Sequence, residues 1–103
     1  MRIGFRMTLR PGQQDEYRRR HDALWPELRD LLAARGVSDY TIFHDPATDS
    51  LFAQMHAADP ARLEGLADEP VMRRWWDHMA DIMETEPDNR PRQAPLIEVF
   101  HMD

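Results

Sequence analysis

Arg2-Ile3-Gly4-Phe5-Arg6-Met7-Thr8-Leu9-Arg10 alternates without a slip, with Ile3, Phe5, Met7 and Leu9 on one face and Arg2, Arg6, Thr8 and Arg10 on the other. A strict period of two marks a half-buried strand, and Pro11-Gly12 ends it. Asp15 and Glu16 then stand where a helix N-terminus favours negative charge. Beyond them the period changes. Tyr17, His21, Leu24, Leu28, Leu31 and Leu32 recur at steps of three and four, the spacing of an amphipathic helix. That spacing predicts a helix running to Arg35, stopped by Gly36. Pro26 lacks the amide that would bond the carbonyl of Asp22, so a kink is expected just after His21.

Further along, Val37 to Asp45 and Leu51 to Ala57 read as strands, joined by the turn-forming residues Asp45-Pro46-Ala47-Thr48-Asp49. Asp59-Pro60 is a cap followed by proline at a first helical position. A proline break at Asp68-Glu69-Pro70 restarts the helix, with Val71, Met72, Trp75, Met79, Ile82 and Met83 on one side. Glu86-Pro87-Asp88-Asn89-Arg90-Pro91 forms a rigid loop, and Leu96 to Met102 is the expected last strand. Strand, helix, two strands, helix, strand is the ferredoxin-like β-α-β-β-α-β order of an α+β domain, an antiparallel sheet with helices on one face. Phe43 and Phe52 oppose the side of Tyr40 and Ile42, so the second face also carries large apolar groups. An exposed apolar sheet face predicts a homodimer that pairs through its sheets.

At 103 residues the chain is expected to form a single domain over 1–103. No apolar run approaches the ~20 residues needed to cross a bilayer, and Met1 leads directly into the first strand, so no signal peptide is expected. The chain has no cysteine, which excludes disulfides and thiol nucleophiles and points to the cytoplasm. A net charge of -6 argues against nucleic acid as a partner. All 13 basic residues are arginine, so no lysine is available for a Schiff base. Ser38 and Ser50 lie in no nucleophile elbow, and four scattered glycines make no phosphate-cradling loop. Acid–base chemistry by His, Tyr, Asp and Glu remains, or binding alone.

Tyr17 and His21 leave the same face of the first helix, four residues apart. A histidine can pass a proton at neutral pH, while indole faces and tyrosine hydroxyls suit a small uncharged sugar. The same residues at helical spacing also fit a plain core: His21 satisfied by a backbone carbonyl, Tyr40 holding one hydrogen bond. Trp75 and Trp76 are ~100° apart around a helix, so one can fill the core while the other walls a cavity. Trp25 is expected in core or interface. His44 and His56 do not make a metal site, because strand pairing places them on opposite faces and ~17 Å apart. The Arg18-Arg19-Arg20 and Arg73-Arg74 runs read as solvated or carboxylate-paired faces, with a phosphate site as the competing reading.

Tyr17-Arg18-Arg19-Arg20-His21, followed by Leu24-Trp25-Pro26-Glu27-Leu28, resembles the L-rhamnose mutarotase family. So do Gly36 to Tyr40, Arg74-Trp75-Trp76, Met79-Ala80-Asp81-Ile82-Met83 and Pro87-Asp88-Asn89, which extends the likeness over nearly the whole chain. The resemblance implies a ferredoxin-like subunit forming a dimeric α/β barrel. It implies an isomerase of L-rhamnose metabolism that interconverts the α and β anomers without a cofactor. It assigns His21 as proton donor and places Tyr17, Tyr40, Trp75 and Trp76 against the sugar. The general base stays open among Tyr17, Tyr40, a carboxylate and a held water. Two other classes fit a small dimeric barrel: a cofactor-independent monooxygenase, betrayed by oxygen uptake with a quinol, and a non-catalytic sugar-binding module.

Overall fold

The computed structural model describes residues 1–103. Its sheet holds β1 (Arg2–Thr8), β2 (Val37–Asp45), β3 (Ser50–Ala57) and β4 (Ala94–Leu96) in the order β2-β3-β1-β4, with every pairing antiparallel. This is the ferredoxin-like arrangement expected from the order of elements. The alternation in β1 decides its faces. Phe5 pairs with Ala53 and Met7 with Leu51 on the side covered by helices, while Arg6 pairs with Phe52 on the open side.

β2 carries a bulge between Ser38 and Thr41, where Asp39 adopts a φ of 50°. One extra residue flips the alternation. Val37 before the bulge and Ile42 after it therefore face the same core although their numbers differ in parity. Tyr40 is turned toward Phe5, ring edge to face at 6.4 Å. The bulge also sets His56 opposite Ser38. His44 pairs with Leu51 on the helix side, whereas His56 lies on the open side, as the pairing parity predicts.

Three expectations need correction. The first helix is not one kinked rod but two helices, α1 (Gln14–Asp22) and α2 (Pro26–Ala34), separated by Ala23–Trp25. Trp25 precedes a proline and is driven to extended backbone, φ −62° and ψ 129°, which ends helical hydrogen bonding rather than bending it. Asp59 does cap, accepting from the Ala61 amide at 3.1 Å, but only short 3₁₀ turns follow at Pro60–Leu63 and Leu66–Asp68. Regular helix begins with α3 (Pro70–Met79). The last strand pairs Gly4 with Leu96 and Arg6 with Ala94, ending where the sequence pattern suggested a beginning. Ile97, Val99, Phe100 and Met102 lie beyond it and are exposed, because nothing within one chain covers them.

The core between sheet and helices joins Leu9, Leu28, Leu51, Ile82 and Trp75 to the thioethers of Met7, Met72, Met79 and Met83. Arg20 ties α1 to α3 and the turn that follows it. Its guanidinium meets Glu16 at 2.7 Å, Asp81 at 2.8 Å and the His78 carbonyl at 2.7 Å. This clasp holds α1, which bears His21, against α3, which bears the two indoles.

Candidate active site

A cavity of about 1380 Å³ opens between the helix-facing side of the sheet and the helices, and Tyr17, His21, Tyr40, Trp75 and Trp76 all line it. The five residues come from three elements: Tyr17 and His21 from α1, Tyr40 from β2, and the indoles from α3.

His21 is held by its own helix. Its Nδ1 lies 3.0 Å from the Tyr17 carbonyl, an acceptor only, so Nδ1 carries the hydrogen and donates. Its ring stacks on Tyr17, centroids 4.2 Å apart, and meets the edge of Trp75 at 5.4 Å. These contacts fix the imidazole plane and leave Nε2 without a protein partner. Burial lowers the His21 pKa, a shift partly opposed by the Tyr17 carbonyl and the Asp22 carboxylate. At neutral pH the resting ring is therefore uncharged, with a lone pair on Nε2.

The two tyrosines move the opposite way. Burial raises the Tyr17 hydroxyl above its ordinary range, and the nearby Tyr40 hydroxyl adds to the rise. Burial alone pushes Tyr40 up to about 12. Both phenols stay protonated at pH 7 and act as hydrogen-bonding hydroxyls. Neither is a phenolate base.

The indoles divide as adjacent helical residues must. Trp75 is 7% exposed and anchors the core, packed edge-on against Trp25 at 5.1 Å. Trp76 is half-buried, with an indole on the cavity wall. Trp25 belongs to the structural cluster, tilted over His78 at 5.5 Å. The charged runs behave as paired faces: Arg19 bonds Glu16, Arg73 meets Asp88 and Arg74 meets Glu27.

Two features escaped the sequence. The Arg90 guanidinium lies 5.4 Å over the Trp76 ring, at the cavity. His44, bonded to Asp49 at 3.0 Å, also lines the cavity. Neither has a motif. The only hint at Arg90 was the turn chemistry of Pro87-Asp88-Asn89, which folds the loop back on α3.

The arrangement can hold a small polyhydroxylated ring against an indole and offer it a neutral imidazole and two hydroxyl groups. Comparison with known proteins agrees with that chemistry. The family model for L-rhamnose mutarotase matches residues 2–102. An L-rhamnose mutarotase of Burkholderia orbicola is 55% identical over 101 residues, covering 98% of this chain and 97% of that one. One from Bacteroides thetaiotaomicron is 49% identical over 102 residues, covering 99% and 98%. The crystal structure of L-rhamnose mutarotase from Formosa agariphila superposes with a TM-score of 0.93 at 47% identity, over 100% of this chain and 99% of that one. Rv0793 from Mycobacterium tuberculosis shares the fold alone, with a TM-score of 0.60 at 15% identity. With its model matched from end to end and half its residues shared with those relatives, the chain belongs to the L-rhamnose mutarotase family.

Proposed function

We propose that this protein interconverts the α and β anomers of L-rhamnose, with His21 as the group that moves the proton. The observation that carries the reading is the pinned imidazole: Nδ1–H spent on the Tyr17 carbonyl at 3.0 Å, Nε2 left for the cavity. Anomers exchange when the C1–O5 bond breaks, O5 gains a proton and the anomeric hydroxyl loses one to become the C1 carbonyl oxygen. Rotation about C1–C2 and attack of O5–H on the other carbonyl face give the second anomer. No electron is gained or lost, so proton transfer and a shaped cavity suffice, and the chemistry calls for neither metal nor cofactor.

His21 is the donor to the ring oxygen. Because its lowered pKa leaves it neutral at rest, it must first take a proton at Nε2, and the anomeric hydroxyl is the group that has one to lose. The imidazolium then delivers it to O5, and reclosure returns the ring to its starting state. A positioned acid or base of this kind contributes ~10²–10⁴-fold. Tyr17 and Tyr40 hold the sugar hydroxyls, and Trp76 stacks on the C–H face of the pyranose while Trp75 backs the site. The runner-up classes, a monooxygenase and a pure binding module, lose ground to the family match.

The working unit is a homodimer joined through the open sheet faces. Phe43 and Phe52 sit opposite each other there, 62% and 38% exposed, and continue into the exposed apolar tail from Ile97 to Met102. No helix is long and apolar enough to cross a membrane. With no cysteine to oxidise, a cytoplasmic role in carbohydrate metabolism fits.

Magnetisation-transfer NMR of the anomeric protons across a panel of sugars, with and without chelator, tests the proposal. Exchange of L-rhamnose should accelerate with the anomer ratio unchanged, and chelator should have no effect. Equal exchange rates with and without protein would refute it.

A further inference from the structure

We infer that Arg90 is a sugar-positioning residue: its guanidinium lies over one face of Trp76, leaving the opposite indole face for the C–H side of the pyranose, and donates past the ring edge to the sugar hydroxyls. This rests on the mutarotase reading of the site.

The placement of Arg90 is built, not incidental. Arg73, Trp76 and Asp77 stand at steps of three and one, so they share a stripe of α3, and each fastens one residue of the Glu86–Pro91 loop. Arg73 meets Asp88 at 3.2 Å, Asn89 donates to Asp77 at 3.0 Å, and Arg90 covers Trp76. The backbone on either side of the arginine side chain is also tied down. Its amide donates to the Asp88 carboxylate at 3.1 Å, and its carbonyl accepts from the Glu86 amide at 2.8 Å. Asn89 supplies the left-handed turn, φ 71°, a conformation asparagine tolerates better than most side chains. Pro91, buried, closes the loop.

Arg19, Arg20, Arg73 and Arg74 all meet carboxylates, but the guanidinium of Arg90 has no hydrogen-bond or ion-pair partner. It presents a rigid fork of five donors beside an indole, on a cavity wall. Vicinal hydroxyls of a sugar are acceptors at the spacing such a fork meets with two parallel bonds. Hydrogen bonds to a charged group are strong enough that losing them should weaken binding about ten-fold or more. The contribution falls on binding, because the guanidinium bonds hydroxyls that keep their charge throughout ring opening.

The test compares the parent protein with Arg90→Gln and Arg90→Lys. KM and kcat for L-rhamnose exchange come from NMR, and Kd from tryptophan fluorescence on titration with the same sugar. Arg90 is exposed, so both variants should melt within a few degrees of the parent. The inference expects Arg90→Gln to raise KM and Kd together about ten-fold with kcat held within two-fold, and Arg90→Lys to recover part of the loss. Parental KM and Kd in Arg90→Gln would overturn it, as would a kcat that falls in step with melting temperature. A parent that binds L-rhamnose without accelerating exchange would refute the mutarotase reading, and the Kd ratio would still decide the role of Arg90. A parent that binds no sugar would overturn both.

Discussion

Replacing His21 by Asn separates what the imidazole holds from what it does. The Asn amide nitrogen reaches nearly the position of Nδ1, so it can keep the hydrogen bond to the Tyr17 carbonyl, observed at 3.0 Å. What disappears is Nε2 and the ring that stacks on Tyr17 at 4.2 Å. Losing the stack costs about 0.5–1.5 kcal/mol. At ~4–8 °C per kcal/mol for a domain of this size, melting should fall by roughly 2–12 °C, which leaves the protein folded at room temperature. Loss of the proton carrier should cost ~10²–10⁴ in exchange rate. That is about 2.7–5.4 kcal/mol of barrier, larger than the stability loss across the whole range. The assay is saturation transfer between the anomeric protons of L-rhamnose, corrected for the uncatalysed rate, with Kd and melting temperature measured on the same samples. A folded His21→Asn protein that binds L-rhamnose and exchanges it at the parental rate would remove His21 from the mechanism and return it to the core.

Other consequences can be checked alongside. The lowered His21 pKa means that the unfolded chain takes up a proton near the ordinary value of ~6.5 while the folded chain resists. This contribution to stability is complete above pH 6.5 and declines as pH falls below it, a step that urea titrations should show in the parent and not in His21→Asn. Glu16, held at about 2 by Arg19 and Arg20, adds a separate loss between its ordinary 4.5 and about 2, which Glu16→Gln should remove. Trp75→Ala empties a core position and should cost about 3–5 kcal/mol of stability. Trp76→Ala should chiefly raise Kd for the sugar, with kcat kept, and calorimetry and NMR distinguish the two. Phe43→Arg on the open sheet face should convert the proposed dimer to monomer or aggregate in sedimentation, and a monomeric parent at micromolar concentration would refute pairing through that face.

Much of this fold could be read from periodicity because two clean periods meet at Pro11-Gly12 and again at Gly36. Registers were less legible. The bulge at Asp39 depends on a backbone conformation, φ 50°, that no residue pattern announces, yet it is what aims Tyr40 toward the cavity. Pro26 signalled an interruption, but whether a proline bends or breaks a helix depends on whether the residue before it stays helical, and Trp25 does not. The final strand was misplaced because Ile97, Val99, Phe100 and Met102 look like strand core, whereas the apolar demand they express is not met within one chain. At the site, the Tyr17–His21 spacing and the tandem indoles were visible as chemistry. The Arg90 contact was not, because it depends on how a loop folds back across a helix.

The sulfur of the interior has a bearing on how the protein ages. Met7, Met72, Met79 and Met83 are buried in the core and also line the cavity, and no polar or charged residue is buried with them. A thioether that becomes a sulfoxide gains a polar oxygen, which must be desolvated among side chains that are mostly apolar. Peroxide that enters the cavity therefore reaches the part of the molecule least able to tolerate oxygen. Oxidative damage should begin from the inside, at the cavity, and a sugar bound there as proposed should delay it.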